Sequence, residues 1–168
     1  AAINKLQKYI GGDGIADQDI AKMIVNEEGD TMDTLLKKIT EDFTLLRGFS
    51  LRVTYSQTWK VLQVKHLPFE NGRLTIPDKE GNICRIAYNA FYGMADYKKK
   101  DTCFYHVFDP NKASEQYTIE KQDYQGQVKW YAQTKINNRF YPVPDYYSAM
   151  SDVQADAQVS TYRERLVN

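Results

Sequence analysis

Cysteine and histidine are scarce in this chain. Its 168 residues include two cysteines, Cys84 and Cys103, and two histidines, His66 and His106. No CxxC pair or Cys/His cluster exists, so the usual structural zinc sites are excluded. A disulfide between the two cysteines cannot be inferred without geometry. Both lie in stretches that read as strands, and free, half-buried thiols suited to a reducing cytoplasm are expected. Net charge is absent too: 22 basic residues balance 22 acidic ones. The total gives no pull toward nucleic acid or an anionic membrane. No apolar run approaches the roughly 18 residues of a transmembrane helix. The first residues lack the basic and then apolar pattern of a signal peptide.

What is present is an ordinary globular mixture. The hydrophobic fraction is 42% and the charged fraction 26%, which argues against a disordered chain. The length suits one domain, residues 1–168, able to bury a core without metal or disulfide. Apolar patterns run up to both ends, so a fragment of a longer chain is expected. Thirteen tyrosines stand out. An apolar ring with a polar tip suits half-buried strands, wet interfaces, and stacking on sugars or bases.

Periodicity predicts the elements. Ile3, Leu6 and Ile10 fall at helical spacing, and Gly11, Gly12 and Gly14 stop that helix. A short helix is expected over 17–26, with Ile20, Met23 and Ile24 on one side. The clearest pattern spans 31–69. Met32, Leu35, Leu36, Ile39, Phe43 and Leu46 form one apolar stripe, capped by Asp30 or Thr31 and closed by Gly48 as the C′ glycine. Phe49, Leu51, Val53 and Tyr55 then alternate with Ser50, Arg52 and Thr54, predicting a strand with one buried and one wet face. A second strand over 59–66, with Leu62 and Val64 on one face, completes an antiparallel hairpin, and Pro68 ends it.

Further strands are expected over 73–76, 83–88, 102–108 and 127–134, the last with Val128, Trp130 and Ala132 on one face. Residues 109–126 read as a polar loop with a short extended piece at 117–120. Pro142 and Pro144 make a stiff joint. A long final helix is expected over 145–167, capped by Asp145, with Asp152 and Asp156 early and Arg163 and Arg165 late. Its stripe of Tyr147, Met150, Val153 and Ala157 is thin. The fold class is therefore α+β, a mainly antiparallel sheet flanked by helices, with a long C-terminal helix.

Chemistry is hard to find in the pattern. His66 and His106 each sit in a strand with no carboxylate or cysteine at ligand spacing. Gly11-Gly12-Asp13-Gly14 follows a helix rather than a strand, which is wrong for a phosphate cradle. Asp109 to Glu120 mimics a calcium loop in part, but Ala113 and Ser114 stand where a ligand and a glycine are needed. Lys98, Lys99 and Lys100 read as a solvated turn. Lys129 and Trp130 point to opposite faces of a strand, so they do not form one stacking surface. No residue is nominated as catalytic, cofactor-binding or metal-ligating, and no enzymatic activity is expected.

Several short motifs follow one another along the chain. They are Lys8-Tyr9-Ile10-Gly11-Gly12-Asp13-Gly14, Thr34-Leu35-Leu36, Asp42, and Arg47-Gly48-Phe49-Ser50-Leu51-Arg52-Val53. After them come His66-Leu67-Pro68-Phe69-Glu70, Arg73, Tyr141-Pro142-Val143-Pro144-Asp145-Tyr146, and the closing Leu166-Val167-Asn168. In content and order the chain resembles portal proteins of tailed bacteriophages, especially those of phages and prophages of Bacteroides-type bacteria. The segment from Asn89 to Gly126 carries none of the resemblance.

The resemblance implies a structural part, similar to the outer wing, of a ring at one capsid vertex. DNA is packaged and ejected through that ring. Implied partners are other portal subunits in a homo-oligomeric ring, the capsid shell, the terminase and the head-tail adaptor. DNA would pass through the channel without being bound by this fragment, and no membrane is involved. The implied location is the virion, with the bacterial host cytoplasm during assembly. Long stem helices and the clip of such proteins have no counterpart here. Two other readings stay open: a non-enzymatic binding module using exposed Tyr and Trp toward a glycan or protein, and an enzyme such as a nuclease with dispersed carboxylates.

Overall fold

A computed structural model describes residues 2–134, 140–149, 154–155 and 158–159. Helix α1 (Ala2–Gly11) ends at the glycine turn, and α2 (Gln18–Lys22) is a short helix. Asp17 caps α2 by accepting from the N–H groups of Asp19 and Ile20. Helix α3 (Met32–Leu46) carries the predicted stripe. Thr31 is its N-cap, with Oγ1 accepting from Thr34 N at 3.2 Å. Strands β1 (Gly48–Tyr55) and β2 (Val61–Leu67) form the expected antiparallel hairpin. Then come β3 (Gly72–Leu74), β4 (Arg85–Tyr88), β5 (Cys103–Val107), α4 (Ala113–Glu120) and β6 (Gln127–Ala132).

One sheet of six strands contains them all, in the order β2-β1-β6-β5-β4-β3. Its pairs are antiparallel except β5 with β6, which run parallel through the crossover that holds α4. The fold is thus α+β, a mainly antiparallel sheet flanked by helices, as expected from the sequence.

The connection between β2 and β3 sets the shape of the sheet. These strands lie at opposite edges, yet only the segment from Pro68 to Asn71 joins them. Laid flat, six strands about 4.8 Å apart would separate the edges by about 24 Å. The five residue steps from Leu67 to Gly72 reach about 17 Å when fully extended, and a 3₁₀ turn at Phe69–Asn71 shortens them further. The sheet must therefore curl into an open barrel. Its concave face holds the core: Ile86, Tyr88, Tyr105 and Val128 are buried, with Leu67, Leu74, Val107 and Trp130 packed on them. On the convex face α3 covers the part around β1 and β2, where its Phe43 meets Tyr131, which in turn stacks on Phe49. Helix α1 lies against α3, where Gly11 faces Thr40.

Several expectations are corrected. Helix α2 stops at Lys22 rather than near 26, because Ile24 bridges to Thr31 and Val25 N donates to Asp30 O. Ile20, Met23 and Ile24 are consequently exposed. Helix α3 is closed by Arg47 in the left-handed conformation (φ 57°), and Gly48 already belongs to β1. Asp30 is no cap; its carboxylate accepts from Asn26 and Lys38 instead.

The wet face expected of β1 is not wet, since Ser50 is fully buried on the concave side and donates to Leu67 O. Leu62 is exposed, because β2 is an edge strand. The strands expected over 73–76, 83–88, 102–108 and 127–134 are each shorter, with the bounds given above. Residues 113–120 are helical rather than looped. Asp109 accepts from Asn111 N, and Pro110 opens a 3₁₀ turn that runs into α4. Residues 145–149 form a short 3₁₀ helix, and most of the helix expected over 145–167 lies outside the described residues.

Candidate functional site

Two places concentrate unusual side chains. The first lies where α3, the hairpin and the turn after β2 meet. Asp42, on the α3 face toward the sheet, points Oδ2 at His66 Nε2, 2.8 Å away, and the same oxygen accepts from Phe69 N at 2.9 Å. A single carboxylate thus ties the helix to the end of β2 and to the turn that reaches β3. Phe69 is buried and lies over Gly48, where no Cβ could fit. Its ring stacks on Trp130 with centroids 4.1 Å apart. Trp130 meets Tyr141 edge-on, and Tyr141 Oη accepts from Leu74 N at 2.8 Å. Arg47 pairs with Asp145 and lies over the Phe43 ring. Burying Phe69 contributes about 2–3 kcal/mol, and the partly buried Trp130 ring adds to it.

The second place is a cleft of about 370 Å³ at one mouth of the barrel, beside the β1–β2 loop. Trp59 and Tyr117 are its exposed aromatic walls, at 41% and 50% exposure. Their rings meet edge-on at 5.7 Å, and Tyr117 meets Tyr124 at 89°. Trp59 holds a left-handed backbone (φ 59°), at a cost of about 1–2 kcal/mol for a residue with a Cβ. The loop that imposes it is tightly bonded: Trp59 N donates to Ser56 O, and Ser56 N to Lys60 O. Gly126 closes the floor, because a Cβ there would fall 2.6 Å from Val53 O. Arg52 lies along the rim, with Nε donating to Gln125 O and its guanidinium over Tyr105. Burial, with Tyr55 and Glu120 nearby, pushes the Tyr124 phenol up to about 12, and burial and Asp109 push Tyr55 up.

A polar cluster joins α4 to the sheet. Fully buried Gln127 accepts from Tyr55 Oη and Asp109 N, and donates to Asp109 O and Gln116 Oε1. Glu120 Oε1 accepts from Arg85 at 2.5 Å and lies 2.9 Å from His106 Nε2. The His106 contact is close but misaligned for a hydrogen bond. It holds charge against charge only when the imidazole is protonated.

Both histidines thus have carboxylate neighbours that their local sequence did not offer. Asp42 and Glu120 come from distant helices. Cys84 and Cys103 are exposed free thiols rather than half-buried ones. Lys98, Lys99 and Lys100 are exposed. The calcium-loop mimic is dissolved by α4. Among the described residues, no group of three or more His, Cys, Asp or Glu side chains is placed to hold a metal ion. No described helix is long and apolar enough to cross a membrane. Trp59 and Trp130 do not share a face, since Trp130 is in the core and Trp59 is in the cleft. The cleft itself draws on Arg52, Trp59, Tyr117 and Tyr124, which no local motif links. No protein-family model and no curated protein sequence matches the chain.

Proposed function

We propose that this chain is a structural, non-enzymatic domain of a phage portal-like ring, similar to its wing. The observation that carries the reading is the convergence of the ordered motifs. Asp42, Arg47, Gly48, His66, Phe69, Tyr141 and Asp145 come from four separate motifs, yet they meet in one joint. In this reading the motifs that carry the resemblance are the ones that build this joint. In this reading the partners are other portal subunits and the capsid shell, with the terminase and head-tail adaptor engaging the ring elsewhere. It would act in the bacterial host cytoplasm during assembly and then in the virion.

The test is electron microscopy of the complete gene product that carries these residues. Closed rings with this domain at their periphery are the expected result. A gene product that stays monomeric or dimeric at all concentrations overturns the proposal.

A further inference from the structure

The barrel-mouth cleft has no part in the joint just described, and its chemistry is that of a ligand site. Barrel mouths are a common place for such sites, and about 370 Å³ is enough for a small ring-shaped group. The Trp59 backbone is held in a left-handed conformation by the hydrogen bonds of its own loop, and the ring stays part-exposed beside Tyr117 rather than turning into the core. Such strain persists only where the surroundings enforce it, and it clusters at ligand clamps.

The wall composition selects the ligand. Trp59 and Tyr117 are inclined at 67° to one another, so they cannot sandwich a flat base between parallel faces. Around them are the side-chain amides of Gln57 and Gln125 and the guanidinium of Arg52, and no acidic side chain lines the cleft among the described residues. Apolar faces ringed by amide and guanidinium groups match a ring with one C–H face and a rim of hydroxyls. We propose that this cleft binds a pyranose unit of a neutral or uronic-acid-containing glycan. The sugar stacks on Trp59 and Tyr117, and its hydroxyl or carboxylate groups meet Gln57, Gln125 and Arg52. A proline-rich peptide presents free backbone carbonyls to the same donors and is the competing occupant that the test includes.

The test is a glycan array of neutral and uronic-acid oligosaccharides, with a decaproline peptide alongside. Array hits are then titrated up to about 1 mM by calorimetry against the wild type, Trp59→Ala and Tyr117→Ala. The expected result is binding of at least one oligosaccharide, weakened about tenfold or more by each substitution. Thermal melts of both variants should match the wild type, since both side chains are part-exposed. Preference for uronic acids that is lost in Arg52→Gln would assign the carboxylate to Arg52. The proposal is overturned by an array without hits, by affinities unchanged in both variants, or by binding of decaproline alone. Ring formation by the complete gene product is unaffected by any of these outcomes, so the two proposals fail separately.

Discussion

Gly48 presents its bare Cα to the ring of Phe69, so closely that a Cβ there would lie 2.4 Å from Cζ. Nothing near the ring can yield easily. Phe69 is held from behind by Trp130 and fixed at its backbone by Asp42. Gly48→Ala is expected to destabilise the fold by about 3 kcal/mol, at the upper end of overpacking costs. Phe69→Ala should cost about 3–5 kcal/mol by emptying a buried site. The double variant should lose clearly less than the sum, because the alanine methyl then occupies part of the space the ring vacated. Urea denaturation of the three variants checks this. Additive losses would mean that the two residues do not oppose one another.

Lys121 tests a different kind of strain. Its backbone lies at φ 50° and ψ −112° where α4 ends, a conformation that glycine adopts and residues with a Cβ resist. The side chain is exposed, so little packing is lost on its removal. Lys121→Gly is therefore expected to stabilise the protein by about 1 kcal/mol, despite the added freedom of glycine in the unfolded chain. A higher urea midpoint with an unchanged slope is the predicted signature. A lower midpoint would place the turn elsewhere in backbone space.

What could be read from sequence tracks how locally each feature is encoded. Helix α3 and the β1–β2 hairpin were legible because their apolar periods, 3.6 and 2, run long enough to be unambiguous. Helix α4 was not, because Ile119 is exposed, Tyr117 is half-exposed and the two make no apolar stripe. Thr40 and Thr44 are buried on α3 although they are polar. Their hydroxyls bond back to the carbonyls of Leu36 and Thr40, so burial costs them little. Ser50 lies on the face that alternation reads as wet, because the curled sheet encloses that face while α3 packs on the other side of β1. That curl follows from strand order, which no local pattern encodes. The joint was visible as separate strings, but the contact of Asp42 with His66 spans 24 positions and needed the fold to reveal it. The cleft was hidden for the same reason, since Tyr117 and Trp59 meet only through the β5–β6 crossover.

Asp30 makes stability depend on acid pH. Its carboxylate accepts from Lys38 Nζ at 2.7 Å and Asn26 Nδ2 at 3.0 Å, and the Lys38 bond, with that from Asn26, holds its pKa below the ordinary aspartate value. A carboxylate with a lowered pKa in the folded state favours folding fully above its unfolded pKa of about 3.9. As pH falls, the unfolded chain takes up the proton first, so the contribution shrinks. It is gone once pH has passed below the lowered folded value. Asp30→Asn abolishes the titration while keeping the shape. At neutral pH the variant should be less stable by about 1 kcal/mol, a modest figure because water reaches Lys38 and screens the pair. The gap between wild type and variant should narrow steadily as pH drops below about 4 and should vanish in stronger acid. Urea midpoints measured for both proteins across that window decide it. A gap that stays constant with pH would show that Asp30 acts through its hydrogen-bonding shape alone and not through its charge.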